Sequence, residues 1–571
     1  MTNTNRLRLV WFVWGMALCL GLIACTPETP DAAATTPVST PTQLTFTNVS
    51  AAAGFTFQHG AFRWGMSGDP VAMMGGGLCW LDYDRDGWLD LFVTNSYAEL
   101  EAGQWQAETG GLPQSALFRN VAGQFSDVSQ ATGAGLPMRG NGCVSADFNL
   151  DGWTDLYITT ARTNMLLWNN RDGTFHEGAQ AAGVDGYGWH SSAVVGDVNE
   201  DGWPDLFVAG YLDVNNRIPD ATMGFPNTHL PIRDEFYLSQ GLDSSGWVTF
   251  REVGASIGLE TAPLAYGLGS LLSDLDGDGD LDLYVANDTN PNYLYENVPW
   301  PGGAAADPEG IGVRFQEIGG TAQVNDTNSG MGVASGDYNS DGRFDLLITN
   351  MGSQVHSVYQ NQTTGAGFAF LNQAAVLDVP DPAGSWTGWG SSWADMDLDG
   401  DLDLLLANGG IPVLDLVADA QPLLYFDNLT NEGQPGVLIP GSGVGGVTAV
   451  GPIIGRGSAA ADYDNDGDMD VAINVIGGQL VLLRNDGATG NWLEVQFGGF
   501  YPGAMCIVTL PDGRELRREI HAGSSYLSSE DQRCHFGLDA AATVDLLIRW
   551  PDGQQTALPD IAVNQRLGVH P

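Results

Sequence analysis

The chain has 571 residues, a hydrophobic content of 43% and a formal net charge of −48 at pH 7. A chain of this size can bury a large core, and it exceeds one ordinary domain unless a repeat holds it together. The acidic excess argues against nucleic acid and anionic membrane surfaces as partners. All 21 basic residues are Arg, which excludes P-loop and Schiff-base chemistry because both need a lysine.

Residues 1–25 have the pattern of an export signal. Arg6 and Arg8 precede an apolar stretch from Leu9 to Leu22, as in a signal peptide. The segment ends in Leu-Ile-Ala-Cys25, which resembles the lipobox of bacterial lipoproteins, where the cysteine becomes the acylated first residue. An uncleaved anchor helix and an ordinary signal peptide are the alternatives, and each also exports the chain. We expect a lipoprotein anchored through Cys25 in the outer membrane, at the cell surface or on the periplasmic face.

Three segments of different composition follow the export signal. Residues 26–43 are rich in Thr, Pro and Ala and lack large apolar side chains, which predicts a disordered tether. Residues 44–488 contain an acidic repeat, and residues 489–571 lack it and show short alternating strands instead. We therefore expect a repeat domain over 44–488 and a small β-rich domain over 489–571.

The repeat is best seen in its first copy, Asp82-Tyr-Asp84-Arg-Asp86-Gly-Trp88-Leu-Asp90. Carboxylates stand at positions 1, 3, 5 and 9, and glycine at position 6 permits a sharp turn. Ca²⁺ takes six to eight oxygen ligands in a flexible shell, so this pattern predicts a calcium loop. It is not an EF-hand, because position 12 is apolar and lies in a strand-like run where an EF-hand has glutamate.

Seven copies of this loop recur at intervals of 50 to 77 residues. We predict that positions 1, 3, 5 and 9 bind through side chains and that position 7 offers its backbone carbonyl. The predicted ligand sets are Asp82, Asp84, Asp86, Trp88 and Asp90; Asp147, Asn149, Asp151, Trp153 and Asp155; Asp197, Asn199, Asp201, Trp203 and Asp205; Asp274, Asp276, Asp278, Asp280 and Asp282; Asp337, Asn339, Asp341, Arg343 and Asp345; Asp395, Asp397, Asp399, Asp401 and Asp403; and Asp462, Asp464, Asp466, Asp468 and Asp470. Up to seven Ca²⁺ ions are expected. The three loops with Asn at position 3 should bind more weakly because they carry less charge.

Each repeat contains more than its loop. A strand of small residues precedes the loop, as in Met331–Gly336, and a second strand follows it, as in Leu346–Asn350. A third phrase such as Leu117-Phe-Arg-Asn120 and a fourth such as Phe125-Ser-Asp-Val128 complete the unit. Four strands repeated seven times predict an all-β fold, a seven-bladed β-propeller. The fourth-strand phrase Phe46-Thr-Asn-Val49 precedes the first loop, so we expect it to pair into the last blade and close the ring.

These phrases resemble the FG-GAP/VCBS repeats of integrin α-subunit propellers and bacterial surface proteins. The resemblance implies that each acidic loop is a calcium-binding β-hairpin. In the C-terminal segment, Gly523-Ser-Ser-Tyr-Leu-Ser528, His535-Phe-Gly-Leu538 and Arg549-Trp-Pro-Asp-Gly553 resemble the ASPIC/UnbV domain. The combination is similar to the cartilage acidic protein 1 family and its bacterial members.

Other candidate chemistry is weaker. Ser524, Ser525, His521 and His535 invite a hydrolase interpretation, but no G-x-S-x-G elbow between strand and helix surrounds them; we expect strand and turn residues of a small β domain. The remaining histidines lack the spacing of a zinc site. Among the cysteines that follow Cys25, Cys79 and Cys143 lie on the entry strands of neighbouring repeats, and Cys506 and Cys534 lie in the C-terminal segment. Export would allow disulfides, and buried free thiols are the alternative.

Long connections interrupt the repeats at 97–115, 211–235, 298–312 and 411–421. Such loops on a rigid scaffold often bind ligands, although neutral insertions are the alternative. We expect a monomeric, non-enzymatic binding or adhesion module for a protein or glycan, touching the membrane only through its lipid anchor. A carbohydrate-active enzyme that uses a propeller groove and a structural subunit of an envelope complex are the rival hypotheses.

Overall fold

The computed structural model describes residues 44–365, 367–374, 386–441 and 447–571. The predicted export signal, the tether and Cys25 lie outside these residues, so lipidation stays a prediction. In the described part of the chain, no helix combines the length and the apolar character needed to cross a bilayer.

Seven antiparallel sheets, numbered here along the chain, each hold one acidic loop between their first two strands. Loops 1 to 7 take the number of their sheet. The strands are Leu78–Leu81, Asp90–Val93, Ala116–Val121 and Gln124–Asp127 in sheet 1; Gly140–Ala146, Asp155–Thr160, Met165–Asn169 and Phe175–Glu177 in sheet 2; Trp189–Gly196, Asp205–Arg217, Glu235–Leu242 and Val248–Glu252, with the extra strand His229–Pro231, in sheet 3; Gly267–Ser273, Asp282–Asn287, Tyr293–Pro299 and Val313–Glu317 in sheet 4; Gly330–Gly336, Asp345–Asn350, Ser357–Asn361 and Phe370–Asn372 in sheet 5; Gly388–Ala394, Asp403–Asn408, Leu424–Asn428 and Leu438–Pro440 in sheet 6; and Gly455–Ala461, Asp470–Val475, Val481–Asn485 and Phe46–Asn48 in sheet 7.

Helices in the described residues are short and lie in connections between strands. Four one-turn helices, Ser129–Thr132, Ala179–Ala182, Gly254–Ile257 and Gly319–Ala322, follow the fourth strands of sheets 1 to 4. The others are Pro70–Met74 and Ala102–Thr109, with 3-10 turns at Glu99–Glu101, Leu259–Thr261 and Thr448–Val450. The sequence analysis did not predict these turns. They are too short to form without the sheets on which they pack.

The sheets are arranged in a ring. The first strand of each sheet contacts the first strand of the next, and the first strand of sheet 7 contacts that of sheet 1. The N-terminal strand pairs with the third strand of sheet 7, with Phe46 opposite Asn485. This pairing confirms the predicted closure and covers an edge that would otherwise be open. The predicted all-β repeat of four-stranded units is confirmed.

Crowding at the ring axis explains the glycines of the first strands. A Cβ on Gly77 would lie 1.6 Å from the backbone oxygen of Leu527, and one on Gly332 would lie 2.2 Å from that of Trp389. No side chain fits at such distances, so the close approach of backbones requires glycine. The first strands of sheets 1 and 2 are also joined by a disulfide between Cys79 and Cys143, with Cα atoms 6.2 Å apart. Cys506 and Cys534 are buried free thiols.

The C-terminal segment forms two sheets around a separate apolar core. One contains Cys534–Gly537, Trp492–Phe497 and Gln565–Val569; the other contains Glu515–Glu519, Met505–Thr509, Thr543–Arg549 and Gln555–Ala562. Leu493, Val508, Phe536 and Ile548 are among the side chains buried between the two sheets. This β-rich domain agrees with the fold class predicted from the sequence.

One segment of the C-terminal domain enters the ring. Residues 522–529, called the axial loop here, make backbone hydrogen bonds to the first strands of sheets 1, 2, 3 and 5. The Ser525 N–H donates to the Val333 carbonyl at 2.7 Å, and the Cys143 N–H donates to the Leu527 carbonyl at 3.2 Å. Ala522 and Ser529 make similar bonds to sheets 3 and 1. The loop therefore occupies the position where the first strands converge.

The tip of the axial loop is apolar. Tyr526 is 0% exposed and Leu527 is 2% exposed, and both pack in a cluster that includes Trp189 and Trp389. The Tyr526 hydroxyl donates to the Met74 carbonyl at 3.3 Å, at the end of the helix Pro70–Met74. The axial loop thus spans the ring and reaches the helix that follows the N-terminal strand.

Candidate metal centres

All seven acidic loops share one turn. The carboxylate at position 1 accepts backbone hydrogen bonds from within the loop, as Asp82 does from the N–H groups of Asp86 and Gly87, both at 3.0 Å. Position 6 has positive φ in every copy, from 85° at Gly152 to 105° at Gly400. Position 4 is also left-handed, for example at Arg85 with φ 60°. The glycine was predicted for this turn, whereas the strain at position 4 was not.

The aspartate at position 9 begins the second strand and is buried in every loop. Its Oδ1 accepts a backbone N–H from the third strand, as in the bond from Asn120 to Asp90 at 2.8 Å. In loop 1 its Oδ2 accepts the N–H of Tyr83 at 3.2 Å. Burial raises the pKa of Asp90 to about 9, so ionising this carboxyl costs free energy unless a cation lies nearby. Position 9 therefore holds the hairpin together whether or not it also binds metal.

The structure brings many of the predicted ligand oxygens together. Carboxylate oxygens at positions 1, 3 and 5 lie within 4.8 Å of one another in loops 1, 4 and 6, and those at positions 1, 3 and 9 do so in loop 7. In the loops with asparagine, the side-chain oxygen at position 3 also turns into the loop. Asn149, Asn199 and Asn339 each accept the position 5 N–H at 3.0 to 3.3 Å. Among the described carboxylates, the position 7 side chains Asp280, Asp401 and Asp468 are not grouped with positions 1 and 3 of their loops, and the predicted backbone carbonyl ligand at position 7 stays a prediction.

Several buried oxygens in the loops fit a cation. Asp84 Oδ1, Asp395 Oδ1 and Asp464 Oδ1 are buried and have no hydrogen-bond partner in the described residues. A buried carboxylate oxygen without a donor is costly, and a hard cation satisfies it. Asp395 and Asp462 also have their pKa raised, to about 7 and about 8, with burial as the first cause. The donor set is entirely oxygen, which suits Ca²⁺.

The third strand supplies residues that the sequence analysis did not assign to the site. Its asparagine donates through Nδ2 to the position 2 carbonyl of the preceding loop. These bonds run from Asn120 to Tyr463, from Asn169 to Tyr83, from Asn297 to Val198, from Asn361 to Leu275, from Asn428 to Tyr338 and from Asn485 to Met396, at 2.6 to 2.9 Å. They place the acidic loops at one end of the ring, the acidic end. The asparagine that ends third-strand phrases such as Leu117-Phe-Arg-Asn120 is the sequence feature that marks these bonds.

The residue before that asparagine also faces the loop. In sheet 1, Arg119 is ion-paired with Asp84 at 2.5 Å and with Asp86 at 2.8 Å. In sheet 6 the same place is held by Asp427, whose pKa is raised to about 7 by burial and by the charges of Asp397 and Glu432. Loops with the same carboxylates at positions 1, 3, 5 and 9 therefore have neighbours of opposite charge.

The C-terminal domain packs on the acidic end. The Gly537 N–H donates to Asp395 Oδ2 at 2.8 Å, and Arg517 donates to the Gly342 carbonyl at 3.0 Å. His535 Nε2 donates to the Gly467 carbonyl at 2.8 Å, and Glu519 accepts the Asp274 N–H at 3.1 Å. The turns of loops 4 to 7 thus form part of the interface between the two domains.

The candidate hydrolase residues have structural partners. His521 bonds to Glu519 at 2.8 Å, His535 bonds to loop 7, and Ser525 accepts the Ser391 N–H at 2.9 Å inside the ring. Ser524 donates to Glu530 at 3.2 Å. The expectation that these serines are turn residues agrees with this geometry, but their place on the ring axis was not foreseen.

The opposite end of the ring, called the far end here, carries the connections between second and third strands. Antiparallel strands put these connections, which include 97–115, 211–235 and 411–421, away from the acidic loops. Large apolar side chains are exposed there, with Leu100 at 89% and Val417 at 85%. Met223, Leu230 and Leu414 are exposed in the same connections. The connection 298–312 lies instead at the acidic end.

Comparison with protein families agrees with this architecture. A model described as FG-GAP-like repeat matches residues 82–158, 147–208, 274–348 and 337–406, and a model described as ASPIC and UnbV matches residues 500–571. The chain therefore contains FG-GAP-like repeats and a C-terminal ASPIC and UnbV domain. The family resemblance seen in the sequence is confirmed.

Among curated proteins, the chain is similar to cartilage acidic protein 1. It is 29% identical to the Mus musculus protein over 335 residues, covering 55% of this chain and 46% of that protein. It is also 29% identical to the Homo sapiens protein, covering 55% and 45%. The chain therefore spans about half the length of these relatives. A solved structure on the recognition of non-reducing terminal N-acetylglucosamine by an Agrocybe aegerita lectin covers 66% of this chain and 89% of that one, at 15% identity and a TM-score of 0.36, too low to support an argument.

Proposed function

We propose that the protein is an exported, calcium-loaded binding module, whose acidic loops hold Ca²⁺ through positions 1, 3, 5, 7 and 9. The observation that carries the proposal is the convergence of three carboxylate oxygens within 4.8 Å in loops 1, 4, 6 and 7, together with buried oxygens that lack hydrogen-bond partners. The resemblance to calcium-binding FG-GAP hairpins supports the same ion.

The role of calcium in this proposal is structural. Each ion would neutralise carboxylates that otherwise repel one another, at the end of the ring where the third-strand asparagines bond to the preceding loops. Loops 4 to 7 also contact the C-terminal domain, so the same ions would support that interface. A site absent from the unfolded chain converts its binding free energy into stability.

The axial loop favours a binding module over an enzyme. A propeller enzyme would be expected to use a pocket with an acid and a base, or a metal with an open position, near the ring axis. In this chain Tyr526 and Leu527 occupy the axis and are buried against Trp189 and Trp389. A ligand at the axis would have to displace the C-terminal domain. We therefore place the ligand on an outer surface.

The far end is the proposed ligand surface, and a protein is the proposed ligand. Leu100, Leu414 and Val417 are exposed on connections held by a rigid ring, and such loops often carry binding residues. The net charge of −48 favours a partner with a basic rim.

The test uses arrays of purified extracellular proteins and of glycans, each probed in Ca²⁺ and in chelator. In the presence of Ca²⁺, we expect the unmodified chain to bind a protein ligand. The double variant Leu100→Asp, Val417→Asp should lose this binding. The matched control is Val121→Asp, because Val121 is also exposed, at 49%, but lies in a hairpin at the acidic end. Binding that the double variant retains would reject the far end, and binding to glycans alone would reject the protein ligand.

A further inference from the structure

Loop 6 contains a second group of carboxylates beside the one expected for its calcium ion. Oxygens of Asp395, Asp397 and Asp399 lie within 4.8 Å of one another, and so do oxygens of Asp399, Asp401 and Glu432. Asp399 belongs to both groups, and a carboxylate with two oxygens can bridge two cations. Glu432 comes from the connection between the third and fourth strands and was not among the predicted ligands.

The burial of Asp401 points to a ligand in the second group. The residue is only 2% exposed. Its Oδ2 accepts the N–H of Asn431 at 2.9 Å, whereas its Oδ1 is buried and has no hydrogen-bond partner in the described residues. Oδ1 is therefore the oxygen left for the group with Asp399 and Glu432. An ionised oxygen in this position needs a cation.

The turn that carries Glu432 is fixed by contacts on both sides. Asn431 Nδ2 donates to the Asp399 carbonyl at 2.7 Å, and the Thr430 hydroxyl donates to the Tyr338 carbonyl at 3.2 Å. The Gly433 N–H closes the turn by donating to the Thr430 carbonyl at 3.1 Å. The connection is therefore held against loop 6 and keeps Glu432 beside Asp401.

The balance of charge at loop 6 also favours a second ion. Loop 6 has five aspartates, and Asp427 and Glu432 add two more carboxylates around them. Arg518 is a partly buried cation that interacts with Asp395 and Asp401. One Ca²⁺ and one guanidinium would leave most of this negative charge uncompensated in a buried site, which is unfavourable.

We propose that loop 6 binds two hard divalent cations, with Ca²⁺ as the chemical type, and that the second is held by Asp399, Asp401 and Glu432. The position 7 side chain, which a calcium loop leaves free when its backbone carbonyl binds the first ion, supplies the second site. This inference rests on the proposed function and extends it from one ion per loop to a paired site, which adds the side chains of Asp401 and Glu432 to the ligands of the first ion.

The experiment measures bound calcium per chain by elemental analysis after equilibrium dialysis against buffered free Ca²⁺. We expect Glu432→Gln and Asp401→Asn each to lose one equivalent relative to the unmodified protein. Asp468→Asn is the matched control: it changes position 7 of loop 7, which has no second cluster in the described residues, and should lose none. Because Glu432 is exposed, its variant is expected to fold even if the Asp401 variant does not.

The outcomes separate this inference from the proposed function. If the unmodified protein binds calcium and Asp397→Ala loses an equivalent while Glu432→Gln loses none, the second site is rejected and the first remains. If the unmodified protein binds no calcium, the proposed function itself is rejected. Crystals grown in Ca²⁺ should show two anomalous peaks bridged by Asp399, and a single peak at loop 6 would overturn the paired site.

Discussion

Loops 1 and 6 have the same carboxylates at positions 1, 3, 5 and 9, but their surroundings differ. In loop 1, Asp86 is exposed and Arg119 neutralises part of the charge. In loop 6, Asp395 is 1% exposed beneath the C-terminal domain, and Asp427 adds charge. The repeat thus sets where ligands lie, while neighbouring strands set how strongly each loop depends on a cation.

The largest expected effect is that of removing calcium from all loops. A ligand at 100 times its Kd contributes about 2.7 kcal/mol per site, so chelation should lower the Tm by at least about 10 °C. After chelation, the backbone amides around loop 6, where Gly400 and Gly537 donate to Asp395, should lose protection from hydrogen exchange first. The amide of Gly87 in loop 1 should lose its protection later. An unchanged melting curve in a sample verified as metal-free would reject calcium dependence.

Single-loop variants should rank the two loops. Asp397→Asn and Asp84→Asn remove one negative charge from the same position of each loop with little change in shape. We expect the loop 6 variant to lower the Tm in calcium more than the loop 1 variant, because its remaining carboxylates are buried and lack an ion pair like that of Arg119. Differential scanning calorimetry in saturating Ca²⁺ measures both, with the exposed Asp552→Asn as control. Equal losses would show that burial does not set the dependence.

Changing the neighbours without touching a predicted ligand is the sharper test. Arg119→Gln removes a guanidinium from Asp84, so the calcium affinity of loop 1 should rise, and Asp427→Asn should lower that of loop 6. Each change is expected to be about tenfold, equivalent to about 1.4 kcal/mol for one charge at short range near the surface. Calcium titration by calorimetry gives both values. The control is Arg314→Gln, because the guanidinium of Arg314 lies over Trp300. This variant should leave the calcium affinities of loops 1 and 6 unchanged, and a shift in either affinity would mean that net charge alone is responsible.

The predictable parts of this protein were those encoded by local spacing. The turn at positions 1 to 6 follows from side chains within one loop, and the strand phrases fix the four-stranded unit and the closure by Phe46–Asn48. The differences between loops 1 and 6 depend on Arg119, Asp427 and Glu432, which lie far along the chain and meet the loops only after the sheets form. No spacing in the sequence indicates whether such a neighbour will be cationic or anionic.

The axial loop illustrates the same limit. Gly523-Ser-Ser-Tyr-Leu-Ser was identified as a phrase of the C-terminal domain, with small residues around one aromatic and one leucine. Small residues allow backbones to approach closely, and here they permit hydrogen bonds to the first strands. The composition was visible in the sequence, but the partner was the axis of another domain. The place of Tyr526 could therefore be found only from the structure.

The smallest expected effect at pH 7 concerns the far end, where calcium is not involved. His59 is 2% exposed, its Nδ1 accepts the Ala61 N–H at 3.2 Å, and burial with the nearby charge of Arg456 lowers its pKa to about 3. The unfolded chain, with an ordinary histidine pKa near 6.5, then binds a proton that the folded chain does not. The stability due to neutral His59 is therefore complete above pH 6.5 and is lost as the pH falls toward about 3, at about 1.4 kcal/mol per pH unit.

His59→Asn keeps an acceptor near Nδ1 and cannot titrate, so its free energy of unfolding should fall less steeply between pH 6 and 4 by about that amount. Chemical denaturation in saturating Ca²⁺ measures the slopes, and the difference at pH 7, where both side chains are neutral, isolates the effect of packing. Identical slopes would show that the acidic loops alone set the response to pH.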